Sequence, residues 1–348
     1  MSKPKETKEL KRGWTTGTCA AAAAKSACRA LLGNEPFLNP VSITLPRGET
    51  PIFKVVNTTR GKGWAKACII KDAGDDPDVT HGALICAKVS HGKNGLRFLA
   101  GEGVGTVTKP GLPIAVGEPA INPVPRLMID AAIAEVLEGS PPDFDIEISV
   151  KDGAALAAKT WNPRLGIVGG LSILGTTGIV RPYSCSAWIA SIHRGVDVAR
   201  ALGRSHLIAA TGSTSEATAR ALYGLPEGDC LDMGDFVGGT LKYLRRHPVA
   251  RLTIAGGIGK LTKLAQGAMD LHSGRSQVDF EALARLTGQP VMATANTALE
   301  AYTFIGKPMA EAVVAKAKAQ AEETVRGAVA IEVIMVDRAG AVLAQTGF

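Results

Sequence analysis

Aromatic side chains are scarce in this chain of 348 residues: 8 Phe, 4 Tyr and 4 Trp make up 5%. Single-stranded nucleic acid is usually held on stacked aromatic platforms, so a base-binding role is poorly supplied here. No apolar run approaches the ~18 residues that a membrane span requires. Six cysteines are present (Cys19, Cys28, Cys68, Cys86, Cys185, Cys230), with no C-x-x-C and no zinc-ligand spacing. They read as buried, reduced thiols of a cytoplasmic protein. The six histidines lack the H-E-x-x-H pattern, and no G-x-S-x-G elbow occurs, so neither a zinc protease nor a serine hydrolase is indicated. Walker and EF-hand spacings are absent as well. The basic N-terminal cluster (Lys3, Lys5, Lys8, Lys11, Arg12) followed by alanines imitates a secretory signal. Ala20 to Ala24 is too short for its apolar core, and Lys25 and Arg29 interrupt the pattern.

Glycine is abundant instead, at 40 residues, and hydrophobic residues reach 46%. That composition supports a packed core with many tight turns and backbone-lined loops. The length suggests about two domains. The formal charge of +7 favours a polyanionic partner. Beyond the N-terminal cluster, the basic residues are scattered. A polyanionic metabolite therefore fits better than nucleic acid, and no membrane partner is expected. A homo-oligomer is permitted but not indicated.

Residues 1–157 mix strand-like runs (Val41 to Leu45, Ile52 to Asn57, Ala65 to Ile70, Ala83 to Val89, Leu96 to Ala100, Phe144 to Val150) with two helices. Thr18 is the expected cap of the first, over Cys19 to Leu32. The second runs over Pro125 to Leu137. This predicts an α+β sandwich. Residues 158–327 alternate strand and helix signals, predicting a βαβ series with a parallel sheet covered by helices. The end, 328–348, reads as a hairpin around Arg338-Ala339-Gly340. It is expected to return to the first domain, which makes the second an insertion. The fold class is thus α/β plus α+β.

Three Gly/Thr/Ser-rich loops should follow parallel strands and open helices: 175–178, 211–215 and 256–259. Free N–H groups and the positive helix end would converge there on a nucleotide-like ligand. Ser213 and Glu216 have capping-box spacing. The full G-x-G-x-x-G fingerprint is missing, which weighs against a nicotinamide-dependent oxidoreductase. Thr15-Thr16-Gly17-Thr18 precedes an alanine-rich helix and could bind a carboxylate or simply cap. Asp72, Asp75, Asp76 and Asp78 share one turn that could orient a substrate, hold a cation or supply a base. His272 is expected to end the helix that follows the 256–259 loop.

These segments resemble the cobalt-precorrin-5B (C1)-methyltransferase family of anaerobic cobalamin biosynthesis. The resemblance rests on Gly13-Trp14-Thr15-Thr16-Gly17-Thr18-Cys19 with the alanines after it, on 71–80, on 101–106, on 109–112 and on 117–126. It resumes in 171–180, 233–238, 259–264 and His272-Ser273. The matches are collinear across nearly the whole chain. Arg181 and Cys185-Ser186 stand where the family commonly has acidic residues, and 255–258 also departs from its pattern.

The resemblance implies methyl transfer from S-adenosylmethionine to C1 of the corrinoid ring, giving cobalt-precorrin-6A. It implies a fold unlike that of the other corrin-ring methyltransferases. Cobalt would arrive inside the substrate rather than in a protein metal site. The substrate's acetate and propionate groups suit a basic protein. On this reading S-adenosylmethionine binds Gly175, Thr176, Thr177, Gly178, Thr211, Gly212, Ser213, Glu216, Gly257, Gly259 and Lys260. The macrocycle meets Thr15, Thr16, Thr18, Asp72 and His272. Asp75 or Asp76 is the candidate base if a ring proton must leave.

Overall fold

The structure, a computed structural model, describes residues 9–33, 36–93 and 95–348. Lys3, Lys5 and Lys8 of the basic cluster lie outside the described residues. The chain divides into two compact units, Met1–Ser184 and Cys185–Phe348.

The first unit runs β1 (Gly13–Trp14), α1 (Thr16–Leu32), β2 (Val41–Ser42), β3 (Ile52–Phe53), β4 (Val56–Gly61), β5 (Trp64–Ile70), β6 (Leu84–His91), β7 (Leu96–Ala100), β8 (Thr106–Val107), α2 (Pro123–Leu137), β9 (Phe144–Val150), α3 (Gly153–Ala157), β10 (Ile167–Val168) and β11 (Ile179–Val180). Its main sheet has the order β4-β5-β6-β9-β7, antiparallel except for the β7–β9 pair. In β9 each alternate residue from Phe144 to Val150 is buried, the period-two pattern of a sheet with one covered face. That cover is α1, which packs against β5, β6 and α2. Ala20 to Ala24 are fully buried, and a Cβ on Gly17 would lie 2.7 Å from the Pro125 ring. Alanine and glycine are therefore required by proximity, while alanine also favours the helix itself.

Helix α1 starts three residues earlier than the sequence suggests. Thr15 is the cap: its backbone is extended (φ −76°, ψ 163°) and its hydroxyl accepts from the Thr18 N–H. Thr16-Gly17-Thr18 thus belongs to the first turn.

The cysteine expectation is corrected in part. The β5–β6 register sets Cys68 opposite Cys86, with Cα atoms 4.0 Å apart, and the two form a disulfide. Their sequence separation of 18 carries no trace of that register. Cys19, Cys28, Cys185 and Cys230 are thiols outside that disulfide, and burial pushes those of Cys19 and Cys28 up to about 12.

The second unit runs α4 (Cys185–Ala201), β12 (His206–Ala210), α5 (Ser213–Tyr223), β13 (Cys230–Asp232), α6 (Val237–Arg246), β14 (Arg251–Gly257), α7 (Ile258–Ala265), α8 (Phe280–Thr287), α9 (Ala298–Ile305), α10 (Lys307–Val325), β15 (Ala330–Val336) and β16 (Val342–Gln345). The sheet order is β13-β12-β14-β15-β16, with the first four strands parallel and β16 an antiparallel edge. Strand alternation builds two cores. Leu207, Ala209, Leu252 and Ile254 pack in the cluster that includes α4, α6, α7 and α10 residues. Ile208, Ala210 and Ala255 instead pack with Ala219 of α5.

Two boundaries differ from expectation. The C-terminal hairpin does not return to the first unit: Ala330–Val336 pairs with β14 along its whole length, completing the parallel sheet. The second unit is therefore continuous to the end of the chain rather than inserted, and the division falls after 184 rather than 157. Residues 167–174 are not a strand of the parallel sheet either. Ile167–Val168 pairs antiparallel with β8 in the first unit. Both errors have one cause, since apolar runs show that a strand exists but not which sheet it joins.

Candidate active site

In the first unit, the start of α1 and the 174–178 segment are tied together. Thr18 Oγ1 donates to Gly178 O (2.7 Å), the Thr15 N–H donates to Gly178 O (3.0 Å), and the Gly17 N–H donates to Leu174 O (3.0 Å). Thr16 Oγ1 donates to Leu174 O and accepts from the Leu174 N–H. Gly178 has φ +82°, and a Cβ there would meet Leu45 and Thr18 at 2.7–2.8 Å; on Gly175 it would meet Thr15 Oγ1 at 2.3 Å. These glycines answer to chain packing. Segment 175–178 leads into the two-residue strand β11, paired with β1, and not into a helix. Of the three loops expected at one parallel-sheet edge, this one belongs elsewhere.

Beside that junction a cavity of about 150 Å³ is lined by Thr15, Thr16, Lys71, Asp78, Thr80, Thr160, Asn162, Ser172 and apolar neighbours. Lys71 is 1% exposed, and its ammonium donates to Asp78 Oδ2 (2.7 Å). Asp78 Oδ1 accepts from the Thr80 N–H (2.7 Å) and Oγ1 (2.6 Å). Burial works against ionisation of Asp78. The Lys71 charge, its hydrogen bond and those of Thr80 outweigh burial, so the carboxyl lies below its ordinary range.

The other carboxylates of this turn serve the chain. Asp75 Oδ2 accepts from the Lys11 N–H (2.7 Å), and Asp76 Oδ1 accepts from the Tyr183 N–H (2.8 Å). Asp72 bonds the Lys11 ammonium (2.5 Å) and the Gly74 N–H (2.8 Å), with the lysine bond as the main cause of its lowered pKa. None of the three lines the cavity. Of the two residues that do, Asp78 belongs to the acidic turn expected to carry chemistry, whereas Lys71 was not singled out from sequence. The signal for Lys71 was its place directly after the apolar run of β5, seven residues before an Asp-x-Thr turn.

In the second unit β12 leads to β13 on one side, and the chain then returns to place β14 on the other. The carboxyl ends of β12 and β14 thus form a topological switch point, the usual ligand crevice of such sheets. Loop 211–216 and residues 257–260 meet there. Lys260 of α7 donates to Thr211 O (2.6 Å) and lies 3.1 Å from Asp235 Oδ1, joining the ends of three strands. That buried Asp235 oxygen receives no well-formed hydrogen bond from the described residues. Gly212 caps α5 with extended backbone, and a Cβ on Gly212 or Gly259 would meet nothing within 4 Å. Glu216 is buried in the first turn of α5, whereas Ser213 is exposed. Half-exposed Trp188 donates to Asp232 O (3.0 Å) at the end of β13 and has Phe236 6.2 Å away. Asp235 and Trp188 were not predicted; an aspartate just past a strand end was the available signal.

His272 does not end a helix. α7 stops at Ala265, and His272 sits in the following loop, where its N–H donates to Asp270 Oδ1 and its Nδ1 accepts from the Gly274 N–H. It lies in the second unit, whereas the other predicted macrocycle residues lie in the first. Among the described residues, no three His, Cys, Asp or Glu side chains are grouped to hold a metal, and no helix is long and apolar enough to cross a membrane.

Fold and geometry together define a mixed α/β protein of two units, one carrying a parallel-sheet switch-point crevice and the other a small polar cavity at a helix start. Profile comparison resolves the class further: the CbiD profile matches residues 3–182, and the CbiD C-terminal domain profile matches residues 270–347. The chain belongs to the CbiD family. It is 57% identical to a cobalt-precorrin-5B C(1)-methyltransferase of Brucella anthropi, over 99% of this chain and 98% of that protein. The protein of the same name from Rhodospirillum rubrum is 56% identical over the full length of both. A crystal structure of a cobalamin biosynthesis protein (cbiD) from Archaeoglobus fulgidus is 25% identical, with a TM-score of 0.41 over 82% of each chain.

Proposed function

We propose that this protein is an S-adenosylmethionine-dependent C-methyltransferase that methylates C1 of cobalt-precorrin-5B, giving cobalt-precorrin-6A in cobalamin biosynthesis. The observation that carries it is identity above half with methyltransferases of that name, end to end. The methyl donor belongs to the switch-point crevice of the second unit, with Thr211, Gly212, Ser213, Glu216, Gly257, Gly259 and Lys260 around it. The fit is supported by the open space over Gly212 and Gly259 and by the Asp235 carboxylate, ion-paired with Lys260 but without a well-formed hydrogen bond at its buried oxygen, which can accept from a ribose hydroxyl or an amino group. Trp188 offers an indole face for the adenine. The macrocycle belongs to the first unit, at Thr15, Thr16 and Thr18. The 175–178 segment shapes that site by fixing the start of α1.

The chemistry asks little of side chains. Bound S-adenosylmethionine supplies an already electrophilic methyl group. The ring carbon is nucleophilic through its conjugated nitrogens. The protein's task is to align the partners and exclude water, which buried hydroxyls and rigid glycine turns do without a catalytic triad. Asp75 and Asp76 hold Lys11 and Tyr183, and in this reading they act through the shape of the turn rather than as bases. Anaerobic incubation with cobalt-precorrin-5B and methyl-labelled S-adenosylmethionine tests the proposal by mass spectrometry. A gain of one labelled methyl is expected. Unchanged corrinoid mass with folded enzyme would defeat it.

A further inference from the structure

The 150 Å³ cavity of the first unit is too small for a whole tetrapyrrole, since pockets for drug-sized ligands start at ~300 Å³. It has room for about five waters, at ~30 Å³ each. That is the scale of one carboxymethyl or carboxyethyl arm. Its chemistry is that of an anion receptor. Lys71 is 99% buried and has three ammonium hydrogens, yet its only bond to a described residue is the one to Asp78. Two donors of a desolvated cation are therefore left for whatever enters. Leaving them unmade is costly in a buried site. Asp78 does not repel an incoming anion strongly, because both of its oxygens are bound, one by Lys71 and the other by two Thr80 donors. Thr15 and Thr16 line the same wall at the positive end of the 17-residue helix α1.

We propose that this cavity is a carboxylate-receiving subsite, in which Lys71 takes one acetate or propionate arm of the macrocycle and so sets the ring's orientation for methylation at one carbon. The inference rests on the proposed corrinoid substrate. A carboxylate could also come from the methionine end of the methyl donor, and the test separates the two.

The probes are cobyrinic acid, whose side chains are free carboxylates, its fully esterified form, and S-adenosylmethionine. Each is titrated by calorimetry into the full-length protein and into Lys71→Gln. Cobyrinic acid should bind Lys71→Gln at least tenfold more weakly, with the ester and S-adenosylmethionine affinities unchanged. Because Lys71→Gln breaks a buried pair, Ser172→Val is measured alongside it. That variant narrows the cavity from its wall at the expense of the Ser172–Asn162 hydrogen bond, keeps Lys71 and Asp78, and should show the same tenfold loss. Equal cobyrinic acid affinity across wild type and either folded variant overturns the subsite. A loss confined to S-adenosylmethionine overturns it too, assigning the cavity to the donor. Failure of the functional reading is seen separately, as absence of methyl transfer by the wild-type protein.

Discussion

At the residue scale, the clearest case is Asp78. Its lowered pKa means that the folded protein holds this carboxylate ionised at pH values where the unfolded chain has begun to bind a proton. The stabilisation is complete well above pH ~3.9, the ordinary aspartate value, and is lost as pH falls through and below it. Asp78→Asn leaves Lys71 buried without its counter-charge and should cost ~3 kcal/mol near neutrality, the low end for a buried pair. The variant's urea midpoint should then change less than the wild type's between pH 6 and pH 3.5. Parallel acid losses in the two proteins would show that Asp78 is not the titrating group. Sequence made the acidic turn visible but not the division of labour within it. Which aspartate meets a buried lysine and which ties down Lys11 or Tyr183 depends on contacts 7, 64 or 107 residues apart.

At the element scale, two glycines that look alike in the sequence have opposite reasons. Gly178 is forced by a left-handed backbone and by contact with Leu45 and Thr18. Gly178→Val should destabilise the protein by roughly 2 to 4 kcal/mol through strain and overpacking. Gly212 has extended backbone and empty space above it. Gly212→Leu should leave the unfolding midpoint within error of wild type while weakening S-adenosylmethionine binding at least tenfold. Urea unfolding and calorimetry on the pair check this, and the reverse pattern would place the cofactor at 175–178 instead. Strand and helix positions were largely legible, because β9 and β12 carry clear alternation or apolar runs between turn signals. The assignment of Ile167–Val168, of Ala330–Val336 and of the Cys68–Cys86 pair to their partners was not. Register and sheet membership are long-range facts that local pattern does not encode.

At the scale of the whole molecule, no single motif names the chemistry, and the Gly-rich loops taken one by one are ordinary turns. What was legible was their order along the chain, and the identity of 57% with a full-length methyltransferase agrees with it. The fold then sorts the loops by unit: 211–216 and 257–260 belong to a switch point, and 174–178 belongs to the start of α1. A net charge of +7 suits a substrate edged with carboxylates. On the proposed function, this scaffold delivers one methyl group to one ring carbon. The most direct test is carbon NMR of the corrinoid product after anaerobic turnover with ¹³C-methyl S-adenosylmethionine. A single enriched methyl resonance on C1 is the predicted result. A labelled methyl on another carbon, or no incorporation by protein that binds the cofactor, would contradict it.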